Sequence, residues 1–173
     1  MDVEYPLLQK IENIIIMKKI IIMLTTHIGT TRFNNTTLEE NRLYREENNI
    51  EGCLYGLPCK MPAQVRYMEP VIVIEMNIET KKIVGVGKVS NMLWRDKYYR
   101  IYGETGYNRY VYIGAKRVPR EKIDNKECMV ILENILFKGK GHYCRGHGIT
   151  RLYPKKLKDD KKKIMTFLND LFT

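Results

Sequence analysis

Two apolar runs, Val71 to Met76 and Ile83 to Val89, joined by the polar stretch Asn77-Ile78-Glu79-Thr80-Lys81-Lys82, constrain this chain more than any other feature. Runs of that length, rich in Val and Ile and split by polar residues, pair as an antiparallel hairpin, here with a loop longer than the two-residue ideal. An isolated hairpin is not stable in water, so further elements must cover it. The chain has 173 residues and 44% hydrophobic content, enough for one domain around one core.

The flanking segments supply candidates. Residues 7 to 17 read as a short helix, and Ile20 to Thr26, a continuous β-branched run, reads as a buried strand. Thr37-Leu38-Glu39-Glu40 has capping-box spacing and predicts a helix from about Leu38 to Glu47. Asn48 and Asn49 end it, and Gly52 to Pro62, with its glycines, prolines and two cysteines, reads as a surface connection. Tyr98 to Tyr102 and Arg109 to Ile113 form a second predicted hairpin about Gly103 to Asn108, after which Pro119 breaks the strand pattern. Glu127 to Phe137 has apolar residues at 128, 131, 132, 135 and 136, one helical face. Ile164, Phe167, Leu168, Leu171 and Phe172 repeat that spacing in a last helix, with Lys158 to Lys163 facing water. No repeat or low-complexity linker marks a boundary. Residues 1 to 173 therefore read as a single domain with a C-terminal helical extension over about 127 to 173.

Charge is distributed unevenly. Residues 1 to 60 carry seven Lys or Arg and eight Asp or Glu, whereas 61 to 173 carry twenty-three and twelve. The net charge of +10 thus belongs to the later part, and such a field favours a polyanion: RNA, DNA or an anionic membrane surface. Between Trp94 and Arg120, six tyrosines (98, 99, 102, 107, 110, 112) interleave with seven Lys or Arg residues (95, 97, 100, 109, 116, 117, 120). Basic side chains neutralise phosphates while aromatic faces stack on unpaired bases. For any one tyrosine the alternative is burial on a hairpin face, which leaves the charge unexplained.

Four scattered cysteines are too few for a secreted disulfide scaffold, so a reducing compartment is expected. Lys18 and Lys19 split the early apolar stretch into Ile14 to Met17 and Ile20 to Leu24, both short of the ~20 residues that cross a bilayer. Asp2, Glu4 and Glu12 argue against a secretory or transit leader. The expectation is a soluble, cytoplasmic protein without a membrane partner.

In Lys138 to Arg151, four glycines lie beside Lys138, Lys140, His142, Arg145, His147 and Arg151, a composition that suits a polyanion backbone. A plain connection between the last two helices is the alternative. The segment has no Walker pattern, and Gly85-Val86-Gly87 lacks the third glycine of a dinucleotide fingerprint. Cys53 and Cys59, with His142, Cys144 and His147, are the residue types that bind zinc, although Cys53-x5-Cys59 is wider than a structural knuckle. Loop cysteines and a polar histidine pair are the alternative there. Cys128 falls on an apolar helix face and reads as core. No nucleophile with a base and no carboxylate pair stands out, and His27 has no visible partner. His142, Cys144 and His147 would serve equally in acid-base chemistry on a phosphodiester or as donors to phosphate.

The order strand, capped helix, Cys53-Leu54-Tyr55 turn, then Val71-Ile72-Val73-Ile74-Glu75 and Ile83-Val84-Gly85-Val86-Gly87-Lys88-Val89, resembles the PUA-like barrel and, within it, the EVE and YTH branch. The resemblance covers roughly residues 19 to 118. It implies an α+β fold, a PUA-like open β-barrel of mainly antiparallel strands flanked by helices. It also implies a nucleotide, often with a modified base, in an aromatic-walled pocket beside a basic surface. Tyr55 stands near the position where YTH proteins have a tryptophan after the first helix, and Trp94 would be the other wall. The chain departs from that pattern in having Tyr for Trp and one tryptophan in all. The phrases Val73 to Asn77, Tyr107 to Val111 and Ile135 to His142 are similar to proteins of large nucleocytoplasmic DNA viruses, which implies a host-cell cytoplasmic setting and supplies no activity.

The resulting expectation is a nucleic-acid-binding module, for single-stranded or structured RNA with DNA as the alternative. Arg100, Arg109, Lys116, Arg117, Arg145 and Arg151 would hold phosphates, and Tyr55, Trp94 and Tyr98 would stack a base, with Arg95, Lys140, His142 and His147 completing the set. No catalytic residue, metal or cofactor is assigned. The rivals are a nucleic-acid-processing enzyme using His142, Cys144 and His147, and a structural or virion protein that touches the genome. Oligomeric state is not legible in the sequence.

Overall fold

A computed structural model describes residues 5–173, with side-chain surroundings for 7–17 and 26–173. The expected hairpin is its centre: β3 (Pro70–Asn77) and β4 (Lys82–Ser90) pair antiparallel. Helix α1 (Tyr5–Thr25) leads into β1 (His27–Phe33), which runs parallel to β3. After α2 (Asn35–Glu47), β2 (Cys53–Leu57) pairs antiparallel with β5 (Tyr110–Gly114) in a separate two-stranded sheet. β6 (Lys116–Pro119) joins β4, α3 (Lys126–Phe137) follows, β7 (Thr150–Arg151) joins β1, and α4 (Lys161–Asp170) ends the chain. The main sheet therefore has the order β6-β4-β3-β1-β7.

Period-two alternation on β3 sorts the layers. Ile72, Ile74 and Met76 join Cys128, Met129, Leu132 and Leu136 of α3 and Ile164 and Leu168 of α4 in one buried cluster. Val71 and Val73 face the other way, into a cluster with Cys53, Leu54, Tyr55 and Leu57 of β2 and Val111 and Tyr112 of β5. On β4, opposite Val73 and Glu75, stand Gly87 and Gly85. A side chain at Gly87 would run into the Tyr55 hydroxyl, and one at Gly85 would meet Glu75 Oε2 at 2.6 Å and Arg117 Nη2 at 2.7 Å. Gly87 lets β2 seat on the sheet, and Gly85 leaves room for the Glu75–Arg117 pair.

This is not the PUA-like open β-barrel that the resemblance implied. The sheet is mixed and stays open, ending at β6 and β7, while β2 and β5 form their own ladder on one face. In the short Val-Gly-Val-Gly phrase behind the resemblance, Gly87 reports that close seating of β2.

Local expectations were corrected too. Of the strand read over Ile20 to Thr26, all but Thr26 belongs to the end of α1, and the strand begins at His27. A continuous apolar run looks alike in a buried strand and a helix, and here the helix took it. Within Gly52 to Pro62 the surface connection is confined to the later part, where Cys59 and Lys60 are exposed, because Cys53–Leu57 is strand β2 with all five residues buried. Tyr98 to Tyr102 forms no strand. Its backbone is held instead by the buried Asn108 side chain, which accepts from Ile101 and Tyr102 N–H and donates to the Tyr102 carbonyl. With those groups satisfied, β5 pairs with β2. Expected α3 and α4 are present. Among the described residues, no helix is long and apolar enough to cross a membrane.

The cap of α2 lies one turn earlier than the Thr37/Glu40 reading. Asn34 Oδ1 accepts from Thr37 N–H at 2.7 Å, Thr37 Oγ1 accepts from Asn34 N–H at 3.0 Å, and Glu40 is spent on Gly103 N–H at 3.1 Å. Replacing Asn34 with Ala should cost about 1 kcal/mol in urea unfolding, and Glu40→Ala, which removes no cap, should cost less.

Candidate nucleic-acid interface

The segment between β4 and β5 turns its aromatic rings both ways. Tyr99, Ile101 and Tyr102 are buried. Tyr99 donates its hydroxyl to Asp96 at 2.7 Å, and burial followed by that carboxylate pushes its pKa up to about 12. Trp94, anchored through its N–H to the Val111 carbonyl at 2.9 Å, keeps 39% of its surface exposed, and Tyr98 keeps 67%. These two rings line a groove of about 550 Å³ with Arg95, Lys97 and Arg109, floored by Leu93, Tyr110 and Val111. Among the described residues, no carboxylate lines it. Among the described residues, none of its three cations is in an ion pair. Exposed rings and unpaired cations in one groove are what a chain of stacked bases and phosphates requires.

The remaining expected site residues do not gather there. Tyr55 is only 1% exposed, and its hydroxyl donates to Glu75 Oε1 at 2.9 Å, so it offers no stacking face to solvent. Arg117 is likewise turned inward, donating to both Glu75 oxygens through Nε and Nη2. Both residues are removed from the interface by this internal ion pair. Lys116 donates to the Phe172 carbonyl at 3.1 Å. Arg100 is exposed on the same segment as Trp94 but does not line the groove. Lys97 was legible among the interleaved cations and belongs with the site.

The glycine-rich segment forms a second region. Gly139 and Gly148 take φ values of +76° and +65°, which glycine adopts without strain. Lys140, Arg145 and His147 are exposed, and Arg151 lies with its guanidinium 5.5 Å from the Tyr153 ring centroid. Arg32, from β1, donates to the Cys144 carbonyl at 3.0 Å and approaches His147 Nδ1 at 3.5 Å. His142 Nδ1 accepts from Cys144 N–H, while the Cys144 thiol turns to the Leu136 carbonyl. His142 thus meets Cys144 through its backbone, while the Cys144 thiol and the His147 ring turn to Leu136 and Arg32.

The cysteines of the zinc reading do not gather either. Cys53 is fully buried in β2, its thiol donates to the Lys88 carbonyl, and burial pushes its pKa up to about 11. Cys59 is exposed and turned to the His147 carbonyl. Among the described residues, no group of three or more His, Cys, Asp or Glu side chains is placed to hold a metal ion.

A smaller cavity of about 150 Å³ lies at the start of α2, lined by Phe33, Tyr55, Tyr102 and Tyr107 with Arg32, Asn34, Thr37 and Glu104. It shares no residue with the Trp94 groove, so Tyr55 and Trp94 are not two walls of one pocket.

Compared with protein-family models, curated proteins and solved structures, the chain matches none.

Proposed function

We propose that the protein binds single-stranded nucleic acid, RNA in the first instance, along the Trp94 groove. Arg95, Lys97 and Arg109 hold phosphates, and Trp94 and Tyr98 stack unpaired bases, modified or not. The supporting observation is the groove lining: two exposed rings, three cations and no carboxylate. A duplex hides its base faces, so the stacking part of the site favours single strands. The cytoplasm, of a host cell if the chain is viral, is where we place it; four free cysteines support a reducing compartment.

The test is fluorescence anisotropy with labelled single-stranded RNA against increasing salt. Three phosphate contacts give a logarithmic slope of roughly −2, or about a twentyfold loss between 50 and 200 mM salt. Arg95→Glu and Arg109→Glu should each flatten the slope by at least roughly 0.7. Trp94→Ala should cost about 1 to 3 kcal/mol, with a matched duplex bound more weakly throughout. A flat salt response, or wild-type affinity in Trp94→Ala, overturns the reading.

A further inference from the structure

A second groove, of about 390 Å³, adjoins the first and shares Leu93 and Arg95 with it. Its lining includes Lys60, Tyr67 and Arg95 and, among the described residues, again no carboxylate. By contrast, the cavities at α2, between β1 and α4, and between α3 and α4 include Glu104, Glu69, and Asp159 with Asp170 respectively.

Tyr67 is 74% exposed and Met68 52%, and Met68 has φ +68°, a conformation costly for a residue with a side chain. The turn is held that way on purpose-built contacts: Met68 N–H donates to the Asn91 carbonyl at 3.2 Å, Asn91 N–H to the Glu69 carbonyl at 3.0 Å, and Asn91 Nδ2 to the Val65 carbonyl at 2.7 Å. The nearby Glu69 carboxylate is directed elsewhere, accepting from Arg66 N–H and contacting His27 Nε2. Tyr67, beside Met68 in this turn, presents its ring to water. The seam between the grooves is cationic. Arg95 lines both, and Lys60 Nζ lies 6.0 Å from the centroid of Tyr110, a residue of the first groove.

We infer that the Tyr67 groove is a second base-stacking subsite on the same strand, with Lys60 and Arg95 holding the phosphodiester that joins the two bases. This rests on the single-strand reading of the Trp94 groove. It makes the ligand a strand and not a mononucleotide.

The experiment is anisotropy with a labelled single-stranded RNA of roughly 12 nucleotides, within the range of known single-strand site sizes, run on four full-length variants. Tyr67→Ala should weaken binding by roughly fivefold to a hundredfold, and Tyr67→Trp, which restores a stacking face, should bind close to wild type. Lys60→Glu should flatten the salt slope, and Trp94→Ala serves as the reference. Circular dichroism matching wild type confirms that each variant is folded, as the exposure of Tyr67 leads one to expect. If Trp94→Ala weakens binding and Tyr67→Ala does not, the second subsite is refuted while the first stands. If neither does, both fall. If Tyr67→Trp is as weak as Tyr67→Ala, stacking at that position is refuted.

Discussion

Glu75→Ala will destabilise the protein by about 3 to 5 kcal/mol, the cost of leaving a buried charge without its partner. Glu75 is 3% exposed, and it accepts from Tyr55 at 2.9 Å and from Arg117 Nη2 at 2.7 Å. Arg45 is close enough to feel the same charges: burial and Arg117 lower its pKa, and Glu75 opposes them. Without the carboxylate, Arg117 loses its ion-pair partner and the repulsion between Arg117 and Arg45 is no longer offset. Glu75→Gln keeps hydrogen-bonding atoms and loses the charge, so it should fall between wild type and Ala. The double variant Glu75→Leu with Arg117→Met removes both charges and should recover most of the loss, since apolar replacement of a whole buried pair is often neutral. Urea unfolding with an unchanged denaturant slope measures each. A Glu75→Ala variant within about 1 kcal/mol of wild type would mean that the cluster is hydrated and the account wrong.

That cluster also explains what the sequence made legible and what it did not. The β3–β4 hairpin, α3 and α4 are written in local periodicity, so Val71 to Met76, Ile83 to Val89 and the Ile164 and Leu168 face were readable directly. β2 was hidden because its glycines look like turn signals. Gly52 is there because a side chain would run into the Gly114 carbonyl, and Gly56 because it would meet the Tyr107 carbonyl at 2.6 Å. Close backbone approach and loop chemistry leave the same letter in the sequence. Within the site, the interleaving of Trp94, Arg95, Lys97, Tyr98 and Arg109 was visible as composition, because those residues share one short segment. Tyr55 and Arg117 were misread since the residue that claims them, Glu75, arrives from another strand by tertiary contact. Nothing local distinguishes a tyrosine that stacks from one that closes an ion pair. Tyr67 gave no signal of its own, because the turn that carries it is closed by Asn91 from the far side of the hairpin, a tertiary contact.

Gly114→Ala should cost about 3 kcal/mol or more, at or above the upper end for an overpacked core, because the obstructing atoms belong to backbone. Gly114 ends β5 opposite Cys53, and a side chain there would run into the Lys88 carbonyl oxygen of β4, with the Lys88 carbonyl carbon at 2.9 Å and Cys53 Sγ at 2.7 Å. A flexible side chain can swing aside; a strand of the central hairpin cannot. Relief requires β5 to lift from β4, and β2 must follow, since Gly52 is packed on the Gly114 carbonyl. Gly106→Ala is the control, with nothing within 4 Å of the new methyl, and should stay within about 0.5 kcal/mol of wild type. Both replacements lower unfolded-state entropy alike, so the difference between them isolates the clash. Lifting β5 also moves Tyr110 and Val111, which floor the Trp94 groove, so Gly114→Ala should weaken the proposed RNA binding even under conditions where it remains folded. Equal stability of the two variants would show that the two-stranded sheet does not seat on β4 through bare backbone, and the groove would then need a different support.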